Sequence, residues 1–206
     1  MAKKMKQKQC IADIPSLSRR LFIVIIMMVA SALCSEAKEY VNGVYYYLEP
    51  SYNTAYIGRS LVTGDIVIPE KITCGSVEYS VTNMEGNCFQ NSINLTSIAF
   101  PSSMTRLSAY CFQGCTSLKS IDIPSSVTSL GWNCFDCCYS LESIVIPSSV
   151  TDLGAFCFNN CKSLETIEIP SSVTSLVRGC FSRCSKLKSI DIPSSITTLG
   201  DFCFSN

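Results

Sequence analysis

The sequence predicts an α/β solenoid: a stack of short parallel strands and short helical turns behind an N-terminal β cap. Three observations carry that prediction. Pro101, Pro124, Pro147, Pro170 and Pro193 recur 23 residues apart, and Cys88, Cys111, Cys134, Cys157, Cys180 and Cys203 keep the same interval, each followed by Phe. A fixed period in the twenties marks a repeat architecture whose units stack on one another. Within each unit Leu stands first (Leu95, Leu118, Leu141, Leu164, Leu187) and Ile fourth (Ile98, Ile121, Ile144, Ile167, Ile190). Each unit then closes on Cys-Phe-x-x-Cys, the spacing of one helical face.

The unit beginning at Leu118 shows why each piece is assigned. Side chains alternate along a strand, so Ile121 and Ile123 share the inner face while Ser120 and Asp122 face out. Leu-x-x-Ile-x-Ile is the apolar skeleton of a leucine-rich repeat strand. Pro124 has no N–H to continue a ladder and ends it. Ser125 and Ser126 turn the corner, Val127 and Leu130 return to the core, and Cys134, Phe135 and Cys138 lie three and four apart, as on one turn of helix. One coil cannot enclose its inward set of Leu118, Ile121, Ile123, Val127, Leu130, Cys134, Phe135 and Cys138. Stacked at about 4.8 Å per rung, coils bury these residues in columns, each large side chain contributing roughly 1.5–3 kcal/mol. Stability then rests on nearest neighbours.

The units IPSSVTSLGWNCFDCCYSLESI and IPSSVTDLGAFCFNNCKSLETI resemble the BspA-like subfamily of leucine-rich repeats, known from surface proteins of host-associated bacteria and some parasitic protists. VNGVYYYL, GDIVIPEKI and EYSVTNMEGNCF are similar to the entry region of such proteins, so the resemblance covers roughly residues 40 to 206. It implies a leucine-rich repeat stack in a secreted or cell-surface protein that acts in adhesion by binding protein. Repeat scaffolds carry unrelated surfaces, so it says little about the ligand.

Residues 1–37 stand outside the repeat. Lys3, Lys4, Lys6, Lys8, Arg19 and Arg20 precede an apolar run from Leu21 to Ala30, with Ser35 and Ala37 placed for cleavage before Lys38. This is the layout of a signal peptide, and the run is short for the roughly 20 residues of a membrane span. Cys34 raises lipoprotein acylation as the rival, but the bulky Leu33 before it departs from that pattern. Removing the leader leaves ten cationic and fourteen anionic side chains, a net of minus four, and no basic stripe, which argues against nucleic acid as partner. No membrane span is expected after cleavage.

Residues 38–64 lack the 23-residue register and read as the cap, with a turn at Asn42-Gly43. Tyr40, Tyr45, Tyr46, Tyr47, Tyr52 and Tyr56 make it aromatic; packing is preferred to a sugar-stacking surface. Residues 65–94 form an irregular first repeat: Pro69 lies 32 before Pro101, and ITCGSVEYSV around Gly75 suits a hairpin protruding from the stack. Residues 95–206 are the regular repeats. Asn206 falls one position before the second Cys column would recur, so the chain is expected to be truncated there.

The cysteine columns read as buried thiols, with inter-coil disulfides and zinc as alternatives. Cys74 and Cys137 fall outside the columns and are expected to be the exposed thiols. No cofactor or metal is implied. The chain contains no histidine, removing His-assisted nucleophiles, and acid pairs such as Glu165 with Glu168 suit a solvated strand face better than glycoside hydrolysis. The protein is therefore read as no enzyme.

Function is expected on the outward strand face. Lys119, Asp122, Glu142, Val145, Glu165, Glu168, Lys188 and Asp191 vary in charge and size around a nearly uniform column of Ser97, Ser120, Ser143, Thr166 and Ser189. A constant scaffold with variable outward positions is how solenoids present a binding surface. The expected partner is a host, neighbouring-cell or matrix protein. The alternatives are glycan capture through the tyrosines or Trp132, and a structural spacer presenting a further domain.

Overall fold

A computed structural model describes residues 38–205. The leader, with its cleavage site and Cys34, lies outside the described residues. The strands in chain order are β1 (Lys38–Val41), β2 (Val44–Glu49), β3 (Thr54–Ile57), β4 (Gly64–Val67), β5 (Lys71–Cys74), β6 (Val77–Met84), β7 (Leu95–Ala99) and β8 (Arg106–Leu107). They continue as β9 (Ser120–Asp122), β10 (Ser129–Leu130), β11 (Ser143–Val145), β12 (Asp152–Leu153), β13 (Thr166–Glu168), β14 (Ser175–Leu176) and β15 (Thr198–Leu199).

Successive coils are held by parallel ladders. The strand after the opening Leu forms one: β4-β7-β9, then β11-β13, extended by a single bridge from Glu168 to Asp191. The two-residue strands behind the Pro corner form another: β8-β10-β12, then β14-β15. Registers such as Ile98 opposite Ile121 and Ile144 opposite Ile167 set like residue against like.

No helix forms among the described residues, so the helical turn expected at each Cys-Phe-x-x-Cys is corrected to a chain of tight turns. A helix sends each N–H four residues back along its own chain. Here alternate N–H groups leave the coil: Asn133, Phe135 and Cys137 donate to Ala155, Cys157 and Asn159 carbonyls at 3.0, 2.8 and 2.9 Å. Those between, Cys134, Asp136 and Cys138, donate three residues back to Gly131, Asn133 and Phe135 at 3.3, 3.2 and 3.2 Å. Left-handed backbone at Asn133 (φ 51°) and Cys137 (φ 60°) re-aims the chain to allow this, and Asn87/Asn91, Tyr110/Gly114, Phe156/Asn160 and Gly179/Arg183 repeat it. The turn still points Cys134, Phe135 and Cys138 inward, so the burial spacing looks helical while the backbone is a third ladder.

Side chains complete the register. The second Ser of each corner donates to a carbonyl of the preceding coil, as Ser149 to Val127 and Ser172 to Val150, both at 2.6 Å. Phe89, Phe112, Phe135, Phe158, Phe181 and Phe204 stand in single file with ring centroids 5.3–5.7 Å apart. Offset stacking at that distance adds to the burial of each ring.

The N-terminal strands form a five-stranded sheet in the order β1-β2-β3-β6-β5, drawing on both sides of residue 64. The β5–β6 hairpin turns at Gly75 (φ 62°). It does not stand off the stack as an isolated protrusion, because β6 pairs with β3. β6 also occupies the place of a preceding coil: Ser103 and Ser108 hydroxyls donate to Val81 and Met84 carbonyls at 2.6 and 2.8 Å. Val44, Tyr46 and Ile57 of this sheet belong to the same apolar core that runs to Cys203.

Two substitutions are expected to move stability in opposite directions. A Cβ at Gly154 would lie 2.5 Å from backbone atoms of Gly131 and Trp132 in the preceding coil. Gly154→Ala should therefore destabilise by about 1–3 kcal/mol. Arg183 sits at φ 58°, where an L side chain is strained and Asn is tolerated, so Arg183→Asn should stabilise by up to about 1 kcal/mol. Urea midpoints check both, and an unchanged midpoint for Gly154→Ala would contradict the coil spacing.

Candidate functional site

The strand face is built by alternation. Ile121, Ile144 and Ile167 point into the core, and their neighbours point to solvent. Lys119, Asp122, Glu142, Val145, Glu165, Glu168, Lys188 and Asp191 are all exposed, Val145 most conspicuously at 80%. Backbone pairing brings Ala99 beside Asp122, Val145 beside Glu168 and Glu168 beside Asp191. The flanking column is laddered by the Lys119 N–H to Thr96 carbonyl bond and the Glu165 N–H to Glu142 carbonyl bond, both 3.1 Å. Lys188 reaches Glu165 at 3.4 Å, an exposed pair of little energetic weight. Two shallow depressions lie on this face. The larger, about 570 Å³, is lined by Val145, Glu168, Asp191 and Ile192 among others; the smaller, about 220 Å³, by Asp65, Val67, Ala99 and Asp122.

Asp65, like Val67, belongs to this face and was left out of the sequence columns, and Asp65 is the polar one of the two. It pairs with Ser97 and accepts from the Thr96 and Ser97 hydroxyls at 2.7 and 2.6 Å. Those bonds, Ser97 first and Thr96 second, hold its carboxyl below the usual range. Aligning the Ile66-x-Ile68-Pro69 corner with Ile98-x-Phe100-Pro101 would have placed it there.

The tyrosines are divided. Tyr46 is buried, and that burial pushes its hydroxyl up to about 12. Tyr47 stacks on Tyr56 at 5.0 Å, with Lys38 over the Tyr47 ring at 4.7 Å, and Tyr40 meets Tyr45 at 4.6 Å.

Of the twelve cysteines from Cys74 to Cys203 ten are buried, and Cys74 and Cys137 are half-buried; the eleven from Cys88 onward are free thiols. In the second column the thiols of Cys115, Cys138, Cys161 and Cys184 donate to the carbonyls of Phe89, Phe112, Phe135 and Phe158 at 3.1–3.2 Å. In the first coil that position is Ser92, whose hydroxyl accepts from Val62 N–H at 3.2 Å and donates to Ser60 carbonyl at 3.4 Å. Among the described residues no group of three or more Cys, Asp or Glu is placed to hold a metal ion.

A polar column that sequence reasoning missed follows each Cys-Phe pair. Gln90, Gln113, Asp136 and Asn159 are one per coil. Gln90 amide donates to Gln113 at 2.6 Å, and Gln113 and Asn159 amides each donate to the Asp136 carboxylate at 2.8 Å. The buried carboxyl of Asp136 is thus bridged to both neighbouring coils.

Parallel coils, an apolar interior of like columns and an exposed polar strand face define a leucine-rich repeat solenoid. A family profile described as BspA type leucine rich repeat region matches residues 82–206 in six copies, and the chain belongs to that family. A leucine-rich repeat protein from Bacteroides ovatus is 27% identical, with a TM-score of 0.66, over 81% of this chain and 50% of its own. This chain thus spans about half the length of that protein. The T. pallidum leucine rich repeat protein shares the fold at 23% identity, with a TM-score of 0.65, over 80% of this chain and 86% of its own. No curated protein matches the sequence.

Burial raises nine thiols above their ordinary 9.0, among them Cys134, Cys138, Cys161 and Cys180, with Cys184 pushed up to about 11 and Cys115 to about 12. Below pH 9 folded and unfolded chains both carry neutral thiols, so their contribution is constant. Above it the unfolded chain releases protons that the fold retains. Stability should then fall between about pH 9 and 12, by up to about 1.4 kcal/mol per pH unit for each of these nine thiols. Urea midpoints at pH 8, 9.5 and 10.5 measure this, and iodoacetamide at pH 8 on a chain that begins at Lys38 should label no more than Cys74 and Cys137.

Proposed function

We propose that the chain is exported by its first 37 residues and acts as an adhesion module, binding a host, neighbouring-cell or matrix protein through the strand face. The observation that carries this is the separation of surface from scaffold. Eight side chains of mixed charge and size stand exposed on consecutive coils, while the Ile residues between them fill the core. Their identity is free of packing constraint, which suits a recognition surface. Membership of the leucine-rich repeat family supports a protein-binding role, and the leader supports export. In this reading the N-terminal sheet closes the first coil as its cap. No helix among the described residues is long and apolar enough to cross a membrane.

The test combines capture with sequencing. The chain and the variant Asp122→Lys, Glu168→Lys, Asp191→Lys are immobilised and exposed to solubilised matrix and cell-surface proteins. The parent should retain a discrete set that the variant loses by tenfold or more; identical sets would reject the face. N-terminal sequencing of exported protein should begin at Lys38, and retention of the leader in the cell would reject export.

A further inference from the structure

A second surface lies on the tight turns, where the chain carries large planar side chains that the core does not use. Two adjacent turn positions alternate from coil to coil: Ala109-Tyr110, Trp132-Asn133, Ala155-Phe156, Arg178-Gly179 and Asp201-Phe202. Each coil presents one large group and one small one, so the aromatic residues at the second position recur every two coils. These residues are laddered directly, Tyr110 N–H to Trp132 carbonyl at 2.8 Å and Phe156 N–H to Arg178 carbonyl at 2.9 Å. Arg178 lies between two rings, 5.9 Å from Phe156 and 5.6 Å from Phe202.

Packing accounts for part of this. The Phe156 ring covers Gly179, whose missing side chain leaves it room. It does not account for Trp132, which is 64% exposed. Nor does it account for the backbone. Tyr110, Phe156 and Phe202 adopt φ of 60°, 57° and 59°, while Asn87, Asn133 and Gly179 make the same turn with residues suited to it. A bulky L residue there costs roughly 1–2 kcal/mol, and such strain gathers at functional positions.

We propose that this ridge binds an extended, equatorially linked polysaccharide by stacking sugar rings on Tyr110, Trp132, Phe156 and Phe202. Two coils span about 9.6 Å at the rung spacing of parallel strands. In a β-1,4-linked chain of pyranoses like faces recur every second sugar, a repeat close to two coils, so a linear glycan lying along the stack meets ring after ring in phase. Aromatic side chains offer apolar faces to the sugar C–H groups, and the Arg178 guanidinium between the rings offers N–H donors to hydroxyls. An α-1,4-linked glucan coils and does not keep this phase.

Trp132 is the sole tryptophan and reports directly on its own surface. The full chain is titrated with cellohexaose, chitohexaose and maltohexaose while Trp132 emission and its quenching by acrylamide are followed. At least one β-linked hexasaccharide should shift the emission to shorter wavelength and shield it from quenching, with maltohexaose inert. Phe156→Asn should weaken that response at least tenfold without lowering Tm, because Asn suits the left-handed turn. The strand-face triple variant should bind the sugar as the parent does, so failure of one surface is distinguishable from failure of the other. Silence with both β-linked sugars, an equal response to maltohexaose, undiminished binding by Phe156→Asn, or loss in the strand-face variant would each overturn the proposal.

Discussion

The division of backbone N–H groups in the tight turns is the constraint on which the rest of the structure depends. Half of them close turns within a coil and half bond the next coil, so no coil is satisfied alone. An unpaired buried backbone group is costly, and every coil must therefore sit in register with its neighbours. The 23-residue period follows from that requirement. Gly131 and Gly154 follow too, since the adjacent backbones approach too closely for a Cβ. The same register holds the phenylalanine rings in one file and lets each corner serine reach the coil before it.

Cysteine has a particular place in this arrangement. The second column needs a small, largely apolar side chain that still offers a donor to the Phe carbonyl of the preceding coil. A thiol meets both needs, being a buried small hydrophobe with a weak S–H donor. Where the first coil meets the N-terminal sheet, the neighbour presents an N–H as well as a carbonyl, and the chain carries Ser92, which donates and accepts. The change from Cys to Ser tracks a change in what the neighbouring backbone presents. Desolvation keeps the column thiols neutral, which removes the thiolate that oxidation and metal binding require.

Periodicity alone made the stacking, the inward columns and the outward strand face legible in the sequence, because like residues can be buried at a fixed interval only against like. The turn was misread for a physical reason: Cys134, Phe135 and Cys138 have helical spacing, and burial is all that spacing reports. The signal against a helix was Asn133, whose left-handed preference sits among the first residues of the expected helical turn, with Gly114 marking the other position. Asp65 was missed because nine extra residues break the period before Pro101, although its own Ile-x-Ile-Pro corner preserves the alignment. Asp136 was missed because a column of Gln, Gln, Asp and Asn conserves hydrogen-bonding capacity and not residue type. A comparison that seeks identity passes over it.

The two surfaces announce themselves by opposite physical signs. On the strand face the scaffold imposes nothing, because alternation separates the outward side chain from the core, and mixed charges there leave the packing untouched. On the turn ridge the scaffold resists: left-handed backbone penalises every bulky residue, and three aromatic ones are present in alternate coils while the coils between carry Asn or Gly. Freedom identifies a surface on which residues can vary, without fixing what any of them does. A local penalty carried three times at one interval is a narrower clue, because it points to particular residues and to the spacing of whatever they meet. The repeat itself supplies that spacing, so the ridge derives its period from the same inter-coil bonds that hold the core together.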